Sequence, residues 1–354
     1  MQAYRLIAAH RTELQTIPPP EPGPGDVLVR VGASGVCHSD LHIIDAPDAL
    51  GMPIPLTLGH EIAGWVERLG PGVSRFEAGE PVAIYGIVGC GACVGCLAGR
   101  DNECRTVTPG GIGLSRDGGM ADYVVVPARQ LIPIGDLDVT QAAPLTDAGL
   151  TPYHAIQVTR RGLRPGGTCI IIGVGGLGHM AVQMVAATTA TRIVAVDLRD
   201  EALQLAREVG AHQAIRSDTE TVAHIRELVG PPPGGADVVL DFVGSAATVE
   251  IARSVVTAGG DVAIVGLAGG VLPVGFGSLP FETRVSVPFW GTRAELAEVI
   301  ALGRAGRIRA HVERFALREA QQAYDRLRAG HLVGRAVVVP EGATHEGSTR
   351  SSRE

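Results

Sequence analysis

At 354 residues, with 45% hydrophobic and 19% charged side chains, the chain is core-rich and long enough for two domains. A net charge of −7 and a pI near 5.9 disfavour nucleic acid and anionic membranes as partners. The first ten residues, MQAYRLIAAH, lack the anatomy of a signal peptide, and the six cysteines are too clustered for a disulfide framework. A metal role in a reducing cytoplasm fits them better.

Residues 1 to about 150 read as short β-strands punctuated by Pro and Gly. A stiff proline-rich loop at 18–25 precedes a strand at 27–31, and further strands are expected at 62–69 and 81–85. The strongest local signal follows: Cys90-x-x-Cys93-x-x-Cys96-x₇-Cys104, four cysteines in fifteen residues. Four thiolates at this spacing can close a tetrahedron around Zn²⁺, with Gly89, Gly91, Gly95 and Gly99 letting the backbone fold tightly. The alternatives are redox C-x-x-C chemistry, buried free thiols, or a zinc ribbon for nucleic acid. The acidic balance speaks against the last.

From Leu163 to about Gly291 the pattern alternates strand and helix. Strands are expected at 168–173, 192–197, 213–215, 237–242, 260–265 and 284–290, with helices at 177–189, 200–209, 219–229 and 246–257. That alternation predicts a doubly wound parallel sheet. Residues 168–190 carry no Asp, Glu, Lys or Arg and would pass a hydropathy window for a membrane span. Four glycines in six residues make them a strand–turn–helix instead, since a buried parallel strand is itself apolar. A helix at 293–304, a strand at 311–315, a helix at 318–329 and a strand at 335–339 are expected to return to the first domain. The polar tail 341–354 is expected to be disordered.

The turn inside this region is Gly173-Val174-Gly175-Gly176-Leu177-Gly178. It follows an apolar strand and opens a helix, the context in which G-x-G-x-x-G binds a dinucleotide. The first glycine permits the turn, the second lets backbone approach a pyrophosphate, and the third lets helix and strand pack closely. The helix N-terminus offers unpaired N–H groups to the phosphates. A second strand ends in Asp197, nineteen residues past Gly178. A carboxylate there accepts hydrogen bonds from a ribose diol and repels a 2′-phosphate, which predicts NAD over NADP, with Arg199 the residue that argues the other way.

Taken together these segments resemble the zinc-dependent medium-chain alcohol dehydrogenase family, over nearly the whole chain to about Pro340. Gly59-His60-Glu61-x-x-Gly64-x₅-Gly70-x-x-Val73 is similar to the family's zinc signature, and Cys37-His38-Ser39-Asp40 to its cysteine-ligand segment. Thr146-Asp147-Ala148-Gly149-Leu150-Thr151-Pro152-Tyr153-His154 resembles the third-ligand segment of a bacterial branch that includes secondary-alcohol dehydrogenases. The resemblance implies a GroES-like β-rich catalytic domain at 1–152, completed by 292–340, with a Rossmann domain at 153–291 set into it. It also implies a homodimer or homotetramer, two Zn²⁺ per chain, and NAD-linked interconversion of alcohols with ketones or aldehydes. A polyol or formaldehyde–thiol-adduct dehydrogenase of the same family is the nearest alternative, and a non-catalytic NAD-binding protein a remote one.

On this reading Cys37, His60 and Asp147 are the catalytic zinc's three protein ligands, leaving one open position. Many relatives carry a second cysteine where Asp147 stands. Asp147 could instead cap a helix or stand behind the ligands, with Glu61 in its place or exchanging with it. Asp40 is expected to accept the His60 N–H and fix its tautomer. The Ser39 hydroxyl is placed to take the substrate proton. His42 either passes that proton to solvent or lines the pocket. His38 stands near the cofactor phosphates or on the surface. Phe289 and Trp290 either border an apolar substrate pocket, accepting medium-sized secondary alcohols, or are hinge core. His179 is expected to pack rather than catalyse.

Overall fold

The structure is a computed structural model, and it describes residues 1–106, 110–230 and 234–342. The tail beyond residue 342 lies outside the described residues. Two large sheets organise the chain, beside a three-stranded sheet of Arg11–Thr16, Gln2–Ala8 and Leu56–Thr57.

The central strands of the second half are largely apolar and buried. Thr168–Ile172 reads TCIII and is buried at every position. Such a strand needs cover on both faces, which parallel order with crossover helices supplies. The sheet runs Gln213–Arg216, Arg192–Asp197, Thr168–Ile172, Ala236–Asp241, Val256–Ile264, Arg284–Ser286, all neighbours parallel. In chain order that is 3-2-1-4-5-6. Strand order therefore reverses between Thr168–Ile172 and Ala236–Asp241, and the crevice at their carboxyl ends is where such sheets bind ligands. The glycine turn occupies that crevice and leads into the helix Gly178–Thr188. A Cβ on Gly178 would overlap the Gly173 carbonyl oxygen, so helix and strand approach this closely only without a side chain there. The apolar stretch 168–190 is thus a strand and an eleven-residue helix. Among the described residues no helix is long and apolar enough to cross a membrane.

The first half forms a seven-stranded sheet whose main path is Val312–Ala316, Arg335–Val339, Asp26–Gly35, Glu61–Leu69, Pro81–Ile84, Leu131–Pro133. Tyr123–Pro127 adds to it by pairing with Asp26–Gly35. Two of its strands come from the chain's end: Arg335–Val339 pairs antiparallel with Asp26–Gly35, and Val312–Ala316 pairs with Arg335–Val339. The last elements thus rejoin the sheet of the first.

Between the two sheets the chain is helical from 139 to 158. It runs as Val139–Pro144, a π turn Leu145–Gly149, and Leu150–Val158. Pro144 lacks an N–H, so the regular ladder breaks there, and π turns of this kind favour functional sites. One expected strand is shorter than its sequence suggests. Arg284–Ser286 ends early, because Pro288 cannot extend a ladder and Trp290 takes a left-handed backbone at φ 53°.

Candidate functional site

Strand register brings the first donors together. Glu61 opens the strand Glu61–Leu69 opposite Gly35, the last residue of Asp26–Gly35. His60 therefore lies beside the exit that leads through Cys37 into the helix His38–Asp45. The π turn delivers Asp147 to the same place. Cys37, His60, Glu61 and Asp147 are all buried, and their donor atoms all lie within 4.8 Å of one another. Cys37 Sγ is 3.6 Å and His60 Nε2 3.5 Å from Asp147 Oδ2. Zinc with ordinary bond lengths would set tetrahedral S, N and O ligands roughly 3.3–3.6 Å apart, so these three fit one ion.

Each donor is held from behind. Asp40 is fully buried; one carboxylate oxygen accepts the Cys37 N–H at 3.0 Å, and the other lies 2.9 Å from His60 Nδ1. That bond leaves Nε2 to face Cys37 and Asp147. Thr151 Oγ1 donates to Asp147 Oδ1 at 2.6 Å, which leaves Oδ2 as the oxygen turned toward Cys37 and His60. Glu61 is engaged elsewhere. Its carboxylate accepts the Ala148 N–H at 3.1 Å and a two-pronged pair with buried Arg335, whose Nε is 3.0 Å away. Arg335 also reaches Asp147 Oδ2 at 3.5 Å.

The electrostatics are those of a site short of positive charge. Burial alone would lower the proton affinity of His60, yet the Asp40 carboxylate and bonds to Asp147, Asp40 and Cys37 raise it well above an ordinary imidazole. Burial would raise the Asp147 carboxyl, but His60, Arg335 and Thr151 hold it well below the usual carboxylate range. Burial pushes Glu61 up, and Arg335 opposes it.

The second cysteine set is equally compact. Cys90 Sγ lies 3.9 Å from Cys96 Sγ, and Cys93 Sγ 4.0 Å from Cys104 Sγ. Tetrahedral thiolates on zinc sit about 3.8 Å apart, whereas a disulfide closes to about 2.05 Å. All four thiols are free.

At the glycine turn, Gly173, Gly175, Gly176 and Leu177 lead into the helix that begins at Gly178. Asp197 accepts the Val174 N–H at 2.7 Å and the Arg199 N–H at 2.9 Å. The Arg199 guanidinium donates to the carbonyls of Gly330 and Leu332, 2.8 and 2.7 Å away. His38 is exposed and within electrostatic reach of Arg335, His42 and Arg199. Ser39 is half-buried, its Oγ 3.7 Å from Cys37 Sγ. His42 is exposed on the same helix. Trp290 is buried and meets the His60 ring edge-on, 5.6 Å between centroids, while Phe289 is 44% exposed. His179 is buried, its Nδ1 2.9 Å from the Gly175 carbonyl and its Nε2 accepting the His311 N–H.

Arg335 is the residue that sequence reading missed. A Cβ on Gly176 would fall 2.5 Å from its Nη1, so the same guanidinium touches the glycine turn and the donor cluster. A lone arginine opening a strand carries no motif; the only available signal was a charge at the start of the apolar run Arg335–Val339. Removing it would strand Glu61 and Asp147 as buried carboxylates. Arg335→Ala is therefore expected to destabilise the fold by about 3–5 kcal/mol, against little loss for Glu61→Gln, where the arginine keeps Asp147. Denaturant melts of the two variants check this; equal midpoints would contradict it.

Comparison with known proteins places both parts of the chain. Residues 23–136 match the alcohol dehydrogenase GroES-like domain and residues 176–304 the zinc-binding dehydrogenase domain. The NAD-dependent alcohol dehydrogenase of Sulfurisphaera tokodaii is 35% identical over 96% of this chain and 100% of its own length. The alcohol dehydrogenase of the hyperthermophilic archaeon Aeropyrum pernix superposes with a TM-score of 0.89 at 34% identity, covering 96% of this chain and all of that one. Acetophenone reductase from Geotrichum candidum, solved with NAD, gives a TM-score of 0.84 at 33% identity, covering 96% of each. With both domains matched and relatives at a third identity over almost full length, the chain belongs to the zinc-dependent medium-chain alcohol dehydrogenase family.

Proposed function

We propose that the protein is an NAD-dependent zinc alcohol dehydrogenase that interconverts alcohols with ketones or aldehydes, with Cys37, His60 and Asp147 holding the catalytic zinc. The observation that carries this reading is the donor triad joined through Arg335 to Gly176, which sets a metal site against a dinucleotide turn. Zinc held there supplies Lewis-acid polarisation of an alcohol or carbonyl oxygen and makes the alcohol more acidic. Glu61 stands behind the triad, because Arg335 and the Ala148 N–H already occupy its oxygens. Cys90, Cys93, Cys96 and Cys104 hold a second, structural zinc.

The remaining roles fall to the chain's own groups. The N–H groups of 175–178 and the Arg335 guanidinium receive the pyrophosphate, with His38 at the rim; those of Gly173 and Val174 already donate to Val196 and Asp197. Asp197 receives the adenosine ribose and disfavours a 2′-phosphate. Arg199 donates to the Gly330 and Leu332 carbonyls through Nη1, while its Nε lies 3.6 Å from Asp197 Oδ1, so it remains the residue that opposes this preference. Ser39, beside Cys37, accepts the substrate proton, and exposed His42 on the same helix releases it to solvent. Phe289 and Trp290 border an apolar pocket suited to medium-sized secondary alcohols. The ketone substrate named for the Geotrichum relative agrees with that scope. An apolar wall discriminates by only roughly 1–3 kcal/mol per methylene, so broad scope is expected.

The catalytic unit is residues 1–152 with 292–340, around a nucleotide-binding unit at 153–291. Free metal-binding thiols suit a reducing cytoplasm. Self-association is proposed at the open edge of the parallel sheet. Arg284–Ser286 is its last strand, and the flanking Phe276 and Val287 are 98% and 78% exposed. Two such edges can pair around a twofold axis and bury each other's apolar side chains.

Elemental analysis should give two zinc ions per chain, and NAD should be reduced with secondary alcohols at a higher kcat/KM than NADP. Cys37→Ser should abolish turnover and leave the melting transition in place. A single zinc, or full activity in that variant, would refute the metal assignment. His42→Ala should slow alcohol oxidation most below neutral pH, with added imidazole buffer restoring part of the rate. An unchanged pH profile that ignores the buffer would leave His42 without a relay role. Phe276→Asp should lower the mass measured by light scattering to that of one chain; a wild-type protein already monomeric would remove the interface.

A further inference from the structure

The loop between the third and fourth cysteines carries two polar side chains that reach residues outside the lobe. Asp101 is fully buried beside Cys96. Its carboxylate pairs with Arg293 Nε at 2.9 Å and Arg129 Nη1 at 3.3 Å. Arg293 opens the helix Arg293–Arg304, separated from Phe289-Trp290-Gly291 by the N-cap Thr292. The neighbouring Asn102 donates from Nδ2 to the Phe289 carbonyl at 3.3 Å. Two successive residues of the cysteine lobe thus contact the chain on either side of Trp290, Asn102 by a hydrogen bond at Phe289 and Asp101 by an ion pair at Arg293.

The segment 289–291 needs such contacts. Trp290 has φ 53°, a conformation bulky side chains rarely adopt and keep only where their surroundings over-determine it. Inside the protein the restraints are clear. Trp290 Nε1 donates to the Thr146 carbonyl at 2.8 Å, and Tyr85 Oη donates to the Gly291 carbonyl at 2.7 Å. Both are buried. On the outer side, the bond on the Phe289 carbonyl comes from the cysteine lobe. Trp290 meets the His60 ring, and its indole N–H holds the residue before Asp147. A shift of 289–291 would therefore move the face opposite His60 and the turn that presents Asp147.

We propose that the tetracysteine lobe, through Asn102 and Asp101, positions the Phe289–Trp290 segment against the metal-donor cluster and so helps set substrate selectivity. A lobe serving stability alone would not need to contact the chain on either side of Trp290. The inference rests on the reading of Cys37, His60 and Asp147 as the active centre. Asn102 and Asp101 are positioning residues and touch no reacting atom.

The test uses the zinc-loaded full chain with Asn102→Ala, Asn102→Gln and Asp101→Asn. Loss of one neutral hydrogen bond predicts that Asn102→Ala raises the alcohol KM by roughly three- to tenfold, more for bulky than for small substrates. The KM for NAD and the two zinc ions per chain should stay as in wild type. Indole emission should shift, because Trp290 is one of only two tryptophans. Asn102→Gln, which keeps the donor, should recover part of each effect. If Asp101→Asn does not fold, the Asn102 pair still decides the matter. An alcohol KM and substrate ranking within about twofold of wild type, with unchanged emission, would overturn the proposal. So would loss of a zinc from Asn102→Ala, since the residue would then be holding the lobe and not the wall. Wild-type protein without turnover on any alcohol would instead sink the active-centre reading, while the indole emission would still report on the grip.

Discussion

The structure depends on one buried knot of charge. Cys37, Asp40, Glu61 and Asp147 meet within a few ångströms of His60, all out of water, with Arg335 as the single permanent cation among them. Like charges cannot be buried together unless something pairs them. In the absence of a metal the imbalance draws a proton toward His60. A divalent cation among three of the donors relieves the same imbalance and leaves His60 neutral.

The knot also ties the two sheets together. Arg335 begins a strand of the mixed seven-stranded sheet, binds Glu61 at the start of another, and packs against Gly176 in the crevice of the parallel sheet. Other contacts cross in parallel with it. Arg199 reaches the carbonyls of Gly330 and Leu332. The backbone of 309–311 is held by three side chains in succession: Gln183 takes both polar groups of Arg309, Gln141 both of Ala310, and His179 the N–H of His311. Gln183 and His179 belong to the helix Gly178–Thr188, and Gln141 to Val139–Pro144. These amide pairs work at any pH near neutrality. The His179 link requires a neutral ring, and burial lowers its proton affinity to about 4. Hydride transfer between a cofactor on one sheet and a substrate on the other needs that geometry kept to a fraction of an ångström.

What could be read from the sequence follows the range of the interactions. The central parallel strands were legible because a buried strand is largely apolar, and four of the helices between them because glycine and polar residues close each apolar run. The cysteine loop was legible because its ligands are near neighbours. The helix His38–Asp45 was not, since its eight residues are too few to show a period. The π turn at 145–149 was not, because nothing in LTDAG distinguishes it from an ordinary helix. Arg335 was out of reach for a different reason: its partners Glu61 and Asp147 lie 274 and 188 residues away. Trp290 was marked as pocket or core, and the structure gives it features of both, buried yet edge-on to His60. Its left-handed backbone has no sequence signature.

Asp147 offers two oxygens where a cysteine would offer one sulfur. A thiolate presents one donor atom, so its direction is set by the backbone alone. A carboxylate presents two oxygens and can rotate between them, which would blur the ligand. Here Thr151, one turn further along, fixes Oδ1 with its hydroxyl at 2.6 Å, and only Oδ2 faces Cys37 and His60. The bond spans four residues across the junction of the π turn with Leu150–Val158, a spacing at which helical side chains meet. Arg335, 3.5 Å from Oδ2, further favours the ionised form. The pair Asp147 and Thr151 thus does by hydrogen bonding what a cysteine would do by having a single atom. That is why a hard anion can stand at this position without loosening the site: the hydroxyl removes the freedom that the extra oxygen introduced.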